Sequence, residues 1–290
     1  MPQDKKTHTP KDSHYARLRR QHRDQTASGP SGGALEGAPK QRLRDAASGR
    51  PLLADGLVRL YGLHTVREAL ANKRRRIRRL LVTRNAQERL ELGELTALPF
   101  PAELVEPREI DRLTGADAVH QGVLIEAEPL KVSRLDQLGE TNLVLVLDQV
   151  TDPHNVGAIL RSAVAFNAGA LITTARHSPQ ESGVLAKAAS GALEHIDHIE
   201  VRNLADALRE LHDAGFTSIG LDSEGPEVLE STLPDGRIAL VLGAEGKGLR
   251  QKTRETVSAL ARLDMPGAIR SLNVSNAAAI ALYAARRRLG

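Results

Sequence analysis

Two observations predict an α/β protein organised around a mostly parallel sheet. The run LVLVLD at residues 143–148 is almost continuously apolar, as a strand buried on both faces must be. Strand-like and helix-like stretches then alternate to the C-terminus, the pattern of a parallel sheet covered on both sides. A third observation, a shorter alternation over residues 56–128, predicts a small α/β unit ahead of it, of a size that folds alone. A chain of 290 residues suits two such domains.

Residues 1–55 are rich in Lys, Arg, Gln, Ser, Gly and Pro, with SGPSGGALEGAP at 28–39. Their sparse apolar residues cannot repay the entropy of folding, so a disordered basic tail is expected. From Gly56 the pattern reads as a strand in GLVRLYG, a helix over His64–Ala71, a strand at Ile77–Thr83 and a helix at Ala86–Thr96. A strand at Ala102–Glu106, a short helix from Pro107 and a strand at Gly122–Ala127 complete the small domain, 56–128. Residues 129–141 are polar and aperiodic and read as a linker. The second domain, 142–290, reads as strand 143–148, helix Val156–Phe166, strand Ala170–Thr174, helix Glu181–Ser190 and strand His198–Val201. Helix Ala205–Ala214, strands Thr217–Leu221 and Ile238–Leu242 and a last helix Val274–Arg288 follow.

Composition removes several function classes. With no Cys, disulfide scaffolds, thiol nucleophiles, Cys-ligated zinc and iron–sulfur clusters are excluded, and a reducing cytoplasm is the expected setting. No apolar run approaches the roughly 20 residues that span a bilayer, and the basic start lacks the apolar core of a signal peptide, so no membrane partner is expected. The net charge of +4 is unevenly placed. Residues 1–50 hold 11 Lys and Arg against 5 Asp and Glu, so the rest of the chain is slightly acidic. A cationic arm suits a polyanion such as RNA, or serves as a solvated leader.

Ligands of open parallel sheets bind beyond the carboxyl ends of the strands, and three loops there carry unusual residues. In the first, Asp148 to Arg161, Pro153 is a turn former and Asn155 is expected to cap the helix that follows. Arg161 lies near the end of the second turn, where its side chain can reach back over the helix start, a spot suited to an anion. The alternative is a capped core helix with a surface Arg. The second loop, Leu240-Val-Leu-Gly-Ala-Glu245-Gly-Lys-Gly248, places three glycines after a buried strand, with Glu245 among them. It is neither a Walker A loop, since Gly248 stands where Ser or Thr would hold magnesium, nor a dinucleotide fingerprint, since position 251 is Gln. The third, Leu263 to Asn276, crowds Ser271, Asn273, Ser275 and Asn276 at one helix start, where a carboxylate or phosphate is stabilised, unless these are simply redundant caps.

Together the runs NVGAILRS (155–162), LVLGAEGKG (240–248) and MPGAIRSLNVS (265–275), in that order, resemble the three motifs of the SpoU/TrmH branch of the SPOUT RNA methyltransferases. The segments YGLHTVREAL (61–70) and His120-Gln-Gly122-Val resemble the substrate-binding domain of the RlmB-type 23S ribosomal RNA guanosine-2′-O-methyltransferases. The likeness runs from about Leu57 to Leu289, with Asn276 and Arg270 as small departures. It implies a trefoil-knotted methyltransferase domain, S-adenosylmethionine as cofactor, and a homodimer in which the partner completes each site. It also implies that the cofactor is held near Leu242, Gly243, Gly246, Leu263, Met265 and Leu272, and that Asn155, Arg161, Glu245, Ser271 and Asn273 form the catalytic site. A guanidinium stays protonated, so Arg161 is expected to grip a phosphate and stabilise alkoxide charge, with Glu245 and Asn155 fixing its geometry and Ser271 and Asn273 positioning the nucleotide.

The cluster Lys73-Arg74-Arg75-Arg76-Ile77-Arg78-Arg79 is expected to contact RNA phosphates, and the opposing reading is a solvated basic loop. Aromatic residues make up 2% of the chain, so backbone and shape readout is favoured over stacking. His154 reads as a turn residue rather than a base, and His195-x-x-His198 as incidental rather than half a metal site, so no metal is expected. The implied substrate is large-subunit ribosomal RNA. Transfer RNA and a non-catalytic ribosome-assembly role on the same fold are the alternatives.

Overall fold

The structure, a computed structural model, describes residues 56–115, 117–176 and 178–290. The expected tail, 1–55, lies outside the described residues. Both sheets described below belong to one compact unit.

The first sheet comprises β1 (Val58–Tyr61), β2 (Ile77–Val82), β3 (Ala102–Leu104) and β4 (Val123–Ala127) in the order β1-β4-β2-β3. Strand β4 runs antiparallel to β1 and β2, and β3 parallel to β2. Period-two alternation divides its side chains. Leu60, Leu80, Val82, Val123 and Ile125 join the core shared with helices α1 (Leu63–Ala71) and α2 (Arg84–Leu90), while Tyr61, Leu81 and Leu124 pack on Ile110 of α3 (Pro107–Thr114).

The second sheet is wholly parallel. Its strands are β5 (Leu143–Asp148), β6 (Ala170–Thr174), β7 (Asp197–Val201), β8 (Phe216–Leu221), β9 (Glu227–Val228), β10 (Arg237–Gly243) and β11 (Ala259–Arg262). Their order is β7-β6-β5-β10-β8-β11-β9. All six residues of β5 are buried, as a central strand covered on both faces requires. Helices α4 (Pro153–Ala165), α5 (Gly183–Ala189) and α9 (Val274–Leu289) place side chains in the core that holds Leu143, Leu145 and Leu147. Helix α6 (Leu204–Asp213) covers the opposite face, against Val144 and Val146. The short helices α7 (Leu229–Thr232) and α8 (Gln251–Thr256) connect strands at the β9 side.

Residues 129–141 are more than a tether. The Ser133 N–H donates to the His198 carbonyl at 2.8 Å, so this segment bridges to the edge strand β7. An edge covered in this way offers fewer free backbone groups to another chain. Where the two sheets meet, small residues permit close approach: a Cβ on Gly183 would lie 2.4 Å from the Tyr61 ring, and Thr65 Oγ1 donates to the Ala186 carbonyl at 3.1 Å.

Candidate active site

Strand β5 ends in Asp148, whose side chain is fully buried, and the next residue, Gln149, turns the chain with a left-handed φ of 62°. Helix α4 then starts at Pro153, three residues earlier than the sequence pattern suggests. Asp152 is its N-cap and accepts from the His154 N–H at 3.0 Å. Asn155 is therefore not the cap. It sits in the first turn, and the Asp152 cap leaves its amide free to point across the site.

The chain leaves β10 at Gly243 and curls back at once, so that a Cβ on Gly243 would lie 2.1 Å from the Gly248 carbonyl carbon. Gly246 and Gly248 hold φ of 74° and 63°, and the Gly248 N–H donates to the Ala244 carbonyl at 2.9 Å. Only glycine accommodates this combination without strain. Asp148 pins the far end of the curl: its carboxylate accepts from Arg250 Nε at 2.6 Å and from the Arg250 N–H at 3.0 Å. The sequence reading gave Asp148 and Arg250 no role, although a buried Asp ending an apolar strand demands a partner.

The third loop delivers Asn273 as the N-cap of α9, with Oδ1 accepting from the Ser275 N–H at 2.8 Å. Its Nδ2 donates to Glu245 Oε1 at 2.6 Å and to Asn155 Oδ1 at 3.0 Å. The Val274 N–H donates to the same Glu245 oxygen at 3.2 Å, and Asn155 Nδ2 reaches it at 3.5 Å. Three segments distant in sequence thus converge on one carboxylate held at a helix start, where the macrodipole favours it.

Arg161 is not drawn into this cluster. It is exposed on α4, away from the buried stripe of Val156, Ile159, Leu160 and Ala163, and has no ion-pair or hydrogen-bond partner among the described residues. The expected fixing of Arg161 by Glu245 and Asn155 does not occur within the chain: Glu245 Oε1 takes its hydrogen bonds from Asn155, Asn273 and the start of α9 instead.

Beside the cluster opens a cleft of about 300 Å³. Leu242, Gly243, Gly246, Leu263, Met265 and Leu272 all line it, together with Glu245 and Ser271. A fourth loop, after β8, contributes Asp222 and Ser223, which the sequence reading passed over. The same rule of strand carboxyl ends, applied to LDSEGP at 221–226, would have found them. Asp222 is ion-paired with Arg254 and accepts from the Glu224 N–H at 2.9 Å, so its carboxylate is already occupied.

The basic cluster departs from expectation most at Arg75. Its side chain is fully buried, donating to Glu194 at 2.5 Å, to Glu181 at 2.6 Å and to the Glu128 carbonyl at 3.0 Å. It is a structural clamp between the two sheets and cannot reach RNA phosphates. The other arginines are exposed to varying degrees but matched, Arg74 with Asp197 at 3.2 Å, Arg79 with Glu103 at 2.7 Å, and Arg76 and Arg78 both with Glu128, while Lys73 has no ion-pair partner among the described residues. Alternation in and out of the fold, with carboxylates supplied from distant segments, offsets most of the charge of what reads as a cationic run. His195 contacts Glu68 at 2.7 Å and His198 contacts Thr173 at 2.9 Å, so the two rings serve different partners. No helix among the described residues is long and apolar enough to cross a membrane.

Residues 142–283 match the SpoU rRNA Methylase family, and residues 59–133 match the family described as RNA 2′-O ribose methyltransferase substrate binding. The chain is 39% identical to the 23S rRNA (guanosine-2′-O-)-methyltransferase RlmB of Ralstonia nicotianae, over 79% of this chain and 95% of that one. It is 34% identical to the RlmB of Escherichia coli, over 79% and 98%. Among solved structures, an AdoMet-bound rRNA methyltransferase from Sinorhizobium meliloti superposes with a TM-score of 0.69 at 25% identity, covering 81% of this chain and 89% of that one. The chain belongs to the SpoU rRNA methylase family, and its sequence groups with the RlmB members.

Proposed function

We propose that the chain methylates the 2′-oxygen of a guanosine ribose in 23S ribosomal RNA, using S-adenosylmethionine and acting as a homodimer. The observation that carries this reading is the convergence of Asn155, Glu245 and Asn273 beside a glycine-lined cleft. The names of the RlmB relatives support the substrate. The cleft suits the cofactor: Leu242, Leu263, Met265 and Leu272 offer apolar walls, and the glycine turns leave main-chain groups open to the polar parts. A Cβ on Gly246 would meet no atom within 4 Å, so the space beside that turn is open.

Bound there, S-adenosylmethionine supplies a methyl group already activated by its sulfonium. The chain's own task is to orient a ribose hydroxyl and ease the loss of its proton. Glu245 Oε1 is held by Asn273 and the Val274 N–H, while Oε2 has no hydrogen-bond partner among the described residues. Oε2 is the oxygen we assign to accept the hydroxyl's hydrogen bond. Asn155 and Asn273 position that carboxylate, and Ser271, exposed in the cleft wall, contacts the nucleotide. Arg161 grips the adjoining phosphate and stabilises charge on the ribose oxygen, keeping its own proton.

The sheet order supports a trefoil knot: β10 enters between β5 and β8, and β11 between β8 and β9, gaps between strands laid down earlier. A knot formed in this way would break the usual rule for chain connections. The homodimer is supported by exposed apolar side chains near the site, Ile269 and Leu272 in the third loop and Ile280 and Tyr283 on α9. The test is transfer of labelled methyl to unmodified 23S ribosomal RNA and, in parallel, to bulk transfer RNA, with the position mapped. Ribose label on the ribosomal RNA, lost in Arg161→Ala, is expected. Label on transfer RNA alone would overturn the substrate, and no label on either would overturn the activity on free RNA.

A further inference from the structure

A second cavity, of about 690 Å³, opens where the small sheet, the 128–133 segment and β7 meet. One part of its wall is apolar, formed by Leu160, Leu171, Leu185, Leu193 and Ile196, and the rest is polar and charged. Val156, next in the chain to Asn155, also lines it, so the cavity reaches the turn of α4 that carries the candidate active site.

The charged groups at its lining divide into satisfied and unsatisfied. Arg74 pairs with Asp197, Arg76 lies 4.0 Å from Glu128, and Glu181 is held by Arg75. Lys73, Lys131 and Glu200 have no ion-pair partner among the described residues. The two lysines are exposed and Glu200 is half-buried on β7. Burial pushes the Glu200 carboxyl above its usual range, as expected of an acceptor with no donor facing it. His198, beside it, is held neutral by burial and is engaged with Thr173.

We propose that this cavity receives one unstacked nucleotide of the substrate RNA, with its base against the apolar walls, an exocyclic amino group donating to Glu200, and its phosphates on Lys73 and Lys131. The proposal rests on the RNA methyltransferase reading and names a recognition site within it. Three features fit this occupant. Sequence-specific RNA readers take bases splayed out of the helix, and this chain, with no Trp and three each of Phe and Tyr, has few aromatic platforms, so the apolar part of the cavity wall takes that place. A carboxylate accepts from an exocyclic amino group, which cytosine, adenine and guanine carry and uracil lacks. Unpaired lysines at an apolar opening suit a nucleotide, which is an apolar ring joined to an anion.

The test uses the full chain saturated with S-adenosylmethionine, so that the first cleft is filled. Adding GMP at millimolar concentration should shift the His198 ring resonances, and UMP should do so at least about tenfold more weakly, a preference lost in Glu200→Gln. Val132→Trp, at an exposed position of the lining, fills the cavity without touching the core. That variant should raise the KM for 23S ribosomal RNA about tenfold, with S-adenosylmethionine affinity unchanged. Equal or absent shifts with GMP and UMP, or a wild-type KM in Val132→Trp, would overturn the proposal. A GMP preference together with that wild-type KM would make the site one for free nucleotides and overturn it equally. If the wild-type chain itself transferred no methyl to 23S ribosomal RNA, the failure would belong to the methyltransferase reading instead.

Discussion

At Gln149 the chain spends conformational energy immediately beside the candidate site. A φ of 62° in a residue bearing a side chain costs of order 1 kcal/mol, and the strain lets the chain leave the buried Asp148 and enter α4 within four residues. Gln149→Gly should be neutral or stabilising by up to about 1 kcal/mol, and Gln149→Val should cost about 1–2 kcal/mol in urea unfolding. His198 carries a second prediction. Burial lowers its pKa from 6.5 to about 4, so between those values the unfolded chain binds a proton that the folded chain refuses. Its contribution is complete above about pH 6.5 and is lost as pH falls toward 4, by at most about 3 kcal/mol. Unfolding at pH 7 and pH 4.5 should therefore show a smaller loss in His198→Gln than in the wild type. Single residues were the least legible part of the sequence. Asn155 reads as a cap because it precedes an apolar helical pattern, yet Asp152 takes that role. Arg75 reads as a phosphate ligand among other cations, yet only the fold reveals the carboxylates of Glu181 and Glu194 around it.

Elements were more legible, because periodicity and burial act over several residues at once. Strands β5 and β6 fall at Leu143–Asp148 and Ala170–Thr174 as read, and α9 within one residue. Strands β9 and β11 and helix α8 escaped, since each is too short, at two to six residues, to show a period, and ALAR at 259–262 buries little. That loss matters, because β11 carries the third loop into the site. The glycine curl after β10 is where an element's geometry meets function. Gly243→Ala would force a methyl group into the Gly248 backbone, so the curl must open. Thermal stabilisation by S-adenosylmethionine should fall to near zero in that variant, with the melting temperature of the ligand-free protein reduced by a few degrees. At the seam between sheets, Arg75→Met leaves Glu181 and Glu194 buried without their counter-ion and should cost about 3–5 kcal/mol in urea unfolding. Adding Glu181→Gln and Glu194→Gln should recover much of that loss, and a failure to recover would show that the guanidinium contributes by packing rather than by charge.

For the whole molecule, the arrangement of the proposed site poses a specific question. Glu245, Asn155 and Asn273 meet within one chain, but Arg161 is exposed and makes no hydrogen bond or ion pair with them, on the same protein that exposes Ile280 and Tyr283 on α9 and Leu272 in the third loop. Neither the sequence motifs, which place Arg161 six residues after Asn155, nor a single chain explains how both act on one nucleotide. The proposed homodimer would do so: a two-fold axis near α9 would bring each chain's exposed face against the other's and let Arg161 of one subunit serve the partner's carboxylate. The expected result is intersubunit complementation. Arg161→Ala and Glu245→Gln should each be inactive alone, whereas subunits unfolded and refolded together should regain about a quarter of wild-type methyl transfer, since half of the dimers are mixed and one of their two sites is intact. Ile280→Glu should yield a monomer by sedimentation and abolish both wild-type activity and the rescue. If the refolded mixture stays silent while each variant still forms dimers and binds S-adenosylmethionine, the site is complete within one subunit, and Arg161 must then reach it by a movement of its own helix.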